Sequence, residues 1–185
     1  MPALPLKDMG PCEIVLGYGE SGALNLGPFL GATTFKGVTS VEKIYEERFG
    51  NAAVDAIFSG TEATLEARMT RSTLDQLNEV LNAGGILGSE PYQYIKLKNQ
   101  AGCNLYADAK RIVIKPICNN RVSVDPSDWV EIYKAVPIPG WELTWDRSTQ
   151  RVFPISFLVF ISQESGEEGE FGQAGMPAGS TELGI

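Results

Sequence analysis

The residues of this chain that could do chemistry are paired carboxylates, glycine-spaced turns and three cysteines. Glu46/Glu47, Glu62/Glu66 and Glu167/Glu168 are close enough in sequence to work in pairs. Acid–base hydrolysis needs one carboxyl of a pair in an apolar pocket, where its pKa rises. The first and last pairs sit in polar stretches, and Glu62 and Glu66 fall on the wet face of a strand, so all three read as solvated charge. Gly17-Tyr-Gly19-Glu-Ser-Gly22 matches the spacing of a dinucleotide loop. Such a loop must open a helix whose free amides meet the phosphates. Ala23 to Pro28 sustains no helix, so the segment reads as a turn. Asp125-Pro-Ser-Asp128 lacks the further oxygens a Ca²⁺ loop requires and reads as a strand-entry turn. The absence of histidine removes Ser-His and Cys-His catalysis and His-ligated metals. Cys12, Cys103 and Cys118 are odd in number and form no C-x-x-C pair. They are expected to be small buried hydrophobes in a reducing compartment. No catalytic, cofactor or metal residue is nominated, and the chain is read as a non-enzyme.

The elements that carry these residues are mostly short strands. The 185 residues are 43% hydrophobic, with 20 Gly and 11 Pro breaking the chain often. One domain is the prior at this length. Strands are expected at Cys12–Leu16, Thr33–Tyr45 (bulged at Gly37), Val54–Ser59 and Thr61–Thr70. Further strands are expected at Leu105–Ile117, Trp129–Val136, Trp141–Trp145 and Arg151–Ser162. In Thr61–Thr70, Ala63, Leu65, Ala67 and Met69 alternate with Glu62, Thr64, Glu66, Arg68 and Thr70, so one face is buried and the other wet. The last strand is apolar on both faces and reads as central and doubly buried. One amphipathic helix is predicted at about 72–83, with Leu74, Leu77, Val80 and Leu81 in a stripe, Ser72 or Thr73 as cap, and Gly84 and Gly85 ending it.

Net charge is −8, from 15 Lys+Arg against 23 Asp+Glu. That argues against sequence-blind nucleic-acid binding, which needs a basic footprint. The longest apolar run, Val152–Ile161, is half the ~20 residues of a membrane-spanning helix, and no export signal is evident at Met1-Pro-Ala-Leu-Pro-Leu-Lys. Composition changes at Gln163. Residues 163–185 hold six Gly and five Glu with a charge of −5, leaving −3 for residues 1–162. A 1–162 β domain with a 163–185 acidic extension is therefore expected. The extension cannot offset its own ordering entropy and is expected to be held by a neighbour, most simply another copy of the chain. Trp129, Glu131 and Tyr133 on one strand face, with Trp141 and Trp145 on the next, leave a carbohydrate-binding module as the alternative outside the assembly class.

Residues Val38 to Gly60, the alternating strand Thr61–Met69 and the Leu74-Asp-Gln-Leu helix resemble the tail tube (major tail) proteins of tailed bacteriophages. Gly50, Val54, Asp55, Gly60, Thr73, Leu74 and Leu77 occupy the places of the family's motifs, and Phe153-Pro154 and Phe157 resemble its closing strand. The match covers residues 33–82, and 105–162 more loosely. The resemblance implies a mainly-β fold, a β-sandwich or partial barrel with one flanking helix. It also implies stacked rings of six subunits, whose joined sheets surround a channel for genome ejection, and no enzymatic activity or cofactor. Implied partners are sister copies, a tape-measure protein and passing double-stranded DNA in the lumen, tail terminator and baseplate or tip proteins, with a sheath left open and no membrane. The implied location is the virion tail, assembled in the host cytoplasm; a tail terminator or head-decoration protein is the nearby alternative. Face alternation nominates Lys36, Ser40, Glu42, Asp55, Glu62, Thr64, Glu66 and Arg68 as channel-lining. Glu46, Glu47, Arg48, Phe49 and Asn51, with Phe171 and Met176 in the tail, are nominated for contacts between subunits or rings. Pro2–Pro11 is a further candidate for binding adjacent subunits.

Overall fold

The computed structural model describes residues 11–27, 29, 31–70, 72–81, 83–97, 104–138 and 152–175. The fold is mainly β with one α-helix. The strands are β1 (Cys12–Leu16), β2 (Leu24–Asn25), β3 (Thr34–Tyr45), β4 (Ala53–Met69), β5 (Ile86–Leu87), β6 (Tyr94–Ile95), β7 (Lys110–Cys118), β8 (Arg121–Val122), β9 (Val130–Pro137), β10 (Phe153–Phe160) and β11 (Gly172–Ala174). One antiparallel sheet runs in the order β2-β1-β7-β9-β10-β4-β3, with β11 added to β9 and β8 to β7; β5 and β6 pair separately. The chain leaves β2 at Asn25 and already bridges Met69 of β4 at Phe29. Four residues span at most about 14 Å, so the sheet must curl until β1 and β4 come near each other.

The curl encloses the core. Leu65, Met69, Ile112, Ile132 and Phe157 are buried on the inner face with Ile14, Leu16 and Leu26. The expected alternation of Thr61–Thr70 is seen: Ala63, Leu65, Ala67 and Met69 are buried, while Glu62, Glu66 and Arg68 are exposed. Helix α1 (Leu74–Val80) packs Val80, Leu77 and Leu81 onto this core. Its Thr73 hydroxyl accepts from the Gln76 N–H, and the Gln76 side chain accepts from the Thr73 N–H. This capping box satisfies two amides that the first turn leaves open. Gln76 Nε2 also donates to the Asn25 carbonyl at 2.7 Å, tying α1 to β2.

Several expectations are corrected. The two strands 54–59 and 61–70 are one strand, β4, because Gly60 takes φ +139° and lets the chain continue through an irregularity. The bulge is therefore not at Gly37, which stays in register opposite Ala63. The pairing shifts between Ser40/Gly60 and Val41/Phe58, leaving Ser59 extra. β10 is central, but only one face is fully buried: Phe153, Ile155, Phe157 and Val159 are inside, while Pro154 is exposed and Leu158 and Phe160 are half-buried. Residues 105–108 form a 3-10 turn rather than strand, begun by the Asn104 side chain accepting from the Tyr106 N–H. The helix is shorter than expected. Gly17, Gly19 and Gly22 all have positive φ and form turns, as read from sequence. Of the cysteines, Cys12 is half-buried and Cys118 exposed, so neither is a fully buried hydrophobe; Cys103 and the expected strand 141–145 lie outside the described residues.

Phe157 is wholly buried at the centre of this core. Phe157→Ala should cost about 3–5 kcal/mol of stability, measured as a lowered midpoint in urea unfolding.

Candidate functional site

β3 and β4 outgrow the sheet that supports them. β10 pairs with β4 only from Met69 to Ala63, whereas β3 and β4 stay paired out to Tyr45 and Ala53. Beyond Gly60 the hairpin is therefore a ribbon of two strands. Every residue from Thr34 to Ser59 is exposed. At ~3.3 Å per residue, β3 alone is about 40 Å long.

Register sorts the ribbon into two faces, because directly opposed residues point the same way. One face continues the buried row of Ala63 and Leu65: Phe35 opposes Leu65, Thr39 opposes Thr61, and Val41 opposes Phe58. The hydroxyls of Thr39 and Thr61 hydrogen-bond at 3.2 Å. The other face carries Lys36 opposite Thr64, Val38 opposite Glu62, Ser40 opposite Gly60, Glu42 opposite Ile57, and Ile44 opposite Asp55. Glu66 and Arg68 join it through Thr34 and Pro154. All eight residues nominated as channel-lining thus share one face, with Val38, Ile44 and Ile57 among them. At the ribbon's end Glu47–Phe49 form a 3-10 turn, and Glu46, Glu47, Arg48, Phe49 and Asn51 are all exposed.

What polar alternation did not reveal is how apolar this ribbon is. Phe35, Val38, Val41, Ile44, Tyr45, Phe49, Val54, Ile57 and Phe58 are all exposed large hydrophobics, Phe58 at 65%. The signal was present in the sequence as β-branched and aromatic residues on both phases of the strand. A soluble monomer rarely exposes a contiguous apolar surface of this kind without using it.

The acidic segment after β10 lies elsewhere and is held by its own chain. Ser162 and Gly169 close a loop by backbone hydrogen bonds, Ser162 N–H to Glu170 O and Gly169 N–H to Ser162 O. β11 then pairs with β9 at Gly172/Ile132, Gln173/Glu131 and Ala174/Val130. Any side chain at Gly172 would collide with the Glu131 carbonyl. Arg111 on β7 bonds Glu131 at 2.6 Å and Glu167 at 2.8 Å, and Gln173 donates to the other Glu131 oxygen. Burial works against the Arg111 charge, but the two carboxylates outweigh it and hold its pKa above the ordinary value. Lys134 pairs with Glu164 at 2.6 Å. Residues 163–175 are thus held within the chain by ladder bonds and ion pairs. Phe171, nominated for subunit contact, is half-buried against its own core; Met176 lies outside the described residues.

Trp129 offers no sugar platform. It is 1% exposed, its Nε1 donates to the Ser123 carbonyl at 2.9 Å, Tyr18 stands edge-on to it and Lys115 Nζ lies 4.0 Å above its ring. Trp141 and Trp145 are outside the described residues. A cavity of about 510 Å³ beside α1 is lined by Glu20, Asn78, Glu79, Asp108 and Lys110, with Lys110 paired to Glu79. Among the described residues no group of three or more acidic or thiol side chains is placed to hold a metal ion, and no helix is long and apolar enough to cross a membrane.

No family model and no curated protein matches the sequence. Among solved structures the chain is similar to one titled "Cryo-EM structure of the anti-feeding prophage (AFP) baseplate, 6-fold symmetrised". Identity is 14%, the match covers 85% of this chain and 90% of that chain, and the TM-score is 0.44. A likeness of that degree gives no residue a role.

Two outcomes follow from the ion pairs. Arg111→Met leaves the Glu131 carboxylate, 5% exposed, without its cation; a loss of about 3–5 kcal/mol is expected in urea unfolding. The Lys134 hydrogen bond and charge hold the Glu164 pKa below its ordinary 4.5. A depressed folded-state pKa contributes stability that is present above the unfolded value and lost as pH falls through the folded one. Amide protection factors in residues 163–175, corrected for intrinsic exchange, should therefore fall modestly as pH drops below about 4.5, and Glu164→Gln should weaken that dependence.

Proposed function

We propose that this chain is a structural virion protein, not an enzyme, that self-assembles into stacked, hexameric rings forming a phage tail tube. One observation carries the reading: a two-stranded ribbon, apolar on both faces and open along its edges, has no cover among the described residues. An isolated hairpin of this kind is marginal in water. An exposed flat edge strand is also a template for pairing with other chains. Both liabilities are removed when sister copies cover it.

The sheet supports a ring in a second way. It ends in two different edges, β2 and β3. Joining unlike edges head to tail generates rings when the rotation closes. The count of six comes from the resemblance of residues 33–82 and 105–162 to tail tube proteins. In this reading the face holding Lys36, Ser40, Glu42, Asp55, Glu62, Thr64, Glu66 and Arg68 lines the channel. Four acidic against two basic residues there would repel passing DNA phosphates over ~8 Å at physiological salt. The exposed tip Glu46–Asn51 would reach the next ring. A tape-measure protein, tail terminator and baseplate or tip proteins would be the other partners, in a virion tail assembled in the host cytoplasm.

Purified chain should form rings or tubes visible by negative stain and elute far above 20 kDa. A variant in which residues 42–57 are replaced by Asn-Gly, a two-residue hairpin turn, removes no buried side chain. It should fold with unchanged thermal stability and stay monomeric. A wild-type chain that remains monomeric at high concentration, even when seeded with native tails, would overturn the reading.

A further inference from the structure

The segment after β10 meets the sheet as a bound peptide would. From Gln163 to Glu170 every residue is exposed except Glu167, which is half-buried. Gly166 and Gly169 have positive φ in this loop, and two backbone bonds from Ser162 to residues 169 and 170 keep it folded. The contacts that hold the segment come next. Tyr133 N–H donates to the Phe171 carbonyl at 3.0 Å and Gly175 N–H to the Trp129 carbonyl at 2.7 Å, flanking a three-residue ladder on the β9 edge. Such main-chain bonds give affinity to an added strand, and side chains give it selectivity. Here Arg111 takes the Glu167 carboxylate at 2.8 Å, and Glu131 accepts from the Gln173 amide at 2.7 Å. Phe171 packs on the core, and at Gly172 the two backbones lie too close for a side chain.

We infer that the β9 edge, with Arg111 and Glu131, is a strand-addition site for an extended Glu-x-x-x-Phe-Gly-Gln segment, filled by residues 167–173 of the same chain and open to exchange for those residues of a second copy. The ladder bonds and the Arg111 and Glu131 contacts are the same whichever copy supplies the segment. Opening the loop gives up the two Ser162 bonds to water. It also frees the ten residues from Ile161 to Phe171, which span at most ~35 Å when extended, enough to reach an adjacent copy. Exchange of an identical element conserves its contacts. What it costs is chiefly the freedom of two separate chains, and copies already held side by side lower that cost. The inference goes beyond the ring reading, since exchange needs two copies and no particular symmetry.

Cysteines at facing positions read the exchange. Ala174 lies directly opposite Val130 in the ladder. Full-length Val130→Cys and Ala174→Cys chains, mixed and oxidised with glutathione disulfide, should give a covalent heterodimer on a non-reducing gel. The yield should be at least tenfold above that from Ala174→Cys mixed with Tyr92→Cys, whose residue is 81% exposed and outside the ladder. Adding Gly172→Val to the Ala174→Cys chain should abolish the product, because the collision with the Glu131 carbonyl bars its segment from either slot. A labelled peptide of residues 163–175 is the second probe. It should bind the Glu164→Gln/Glu167→Gln chain, whose own segment has lost its ion pairs, at least tenfold more tightly than the wild-type chain, and the same peptide carrying Gly172→Val should not bind. Heterodimer at the control level, or peptide binding indifferent to Gly172→Val, overturns the inference and leaves the assembly reading standing. Heterodimer from a wild-type background that forms no rings or tubes counts against the assembly reading alone.

Discussion

A strand can bury its side chains only if something lies against it, and here β10 supplies that support for too short a distance. It has eight residues and β4 has seventeen. Where β10 stops, the chain turns off at Ile161 to run beside β9, and β4 continues with β3 as its one remaining partner among the described residues. The apolar residues on Val41–Phe58 are therefore hydrophobic without a core. Burial of such groups contributes ~25 cal/mol per Å², and between 39% (Ile44) and 65% (Phe58) of each residue's surface still meets water. The fold thus divides into a part with its own core and a ribbon whose large apolar side chains remain exposed.

The self-sufficient part manages its polar groups internally. Arg111 reaches across β9 to neutralise Glu131 and to hold Glu167, and Gln173 fills the remaining Glu131 oxygen. This network explains how a Gly- and Glu-rich segment with little apolar content is placed at all. Gly172 completes the arrangement, because the strand lies too close to the Glu131 carbonyl for any side chain. The segment closes the edge of β9 that β10 abandons, so one open border of the sheet is covered while those of the ribbon are not.

Much of this was legible in the sequence where local rules suffice. The alternation of Ala63, Leu65, Ala67 and Met69 with charged residues located the inner face, and Thr73, one of the two caps read from sequence, starts the helix. The eight residues nominated from alternation do fall on one face, because the extra residue of the bulge lies on β4 and β3 keeps its phase. What local rules could not show was long-range. Gly60 looked like a strand end, yet a glycine's freedom in φ also permits a strand to continue past a bulge. Phe157 and Leu158 read as equally buried, since no sequence pattern says which face of a central strand the helix will cover. The β-branched and aromatic residues of the ribbon marked strands, but a strand's composition does not say whether a core lies against it.

The bulge at Ser59–Gly60 has a mechanical meaning. It sits where the supported sheet gives way to the free ribbon, so the backbone there acts as the fulcrum of a lever. With an arm of about 20 Å from strand spacing, a tilt of ten degrees swings the Glu47–Phe49 turn by roughly 3–4 Å. A small torsion at one glycine thereby becomes a displacement the size of a side chain at the far end.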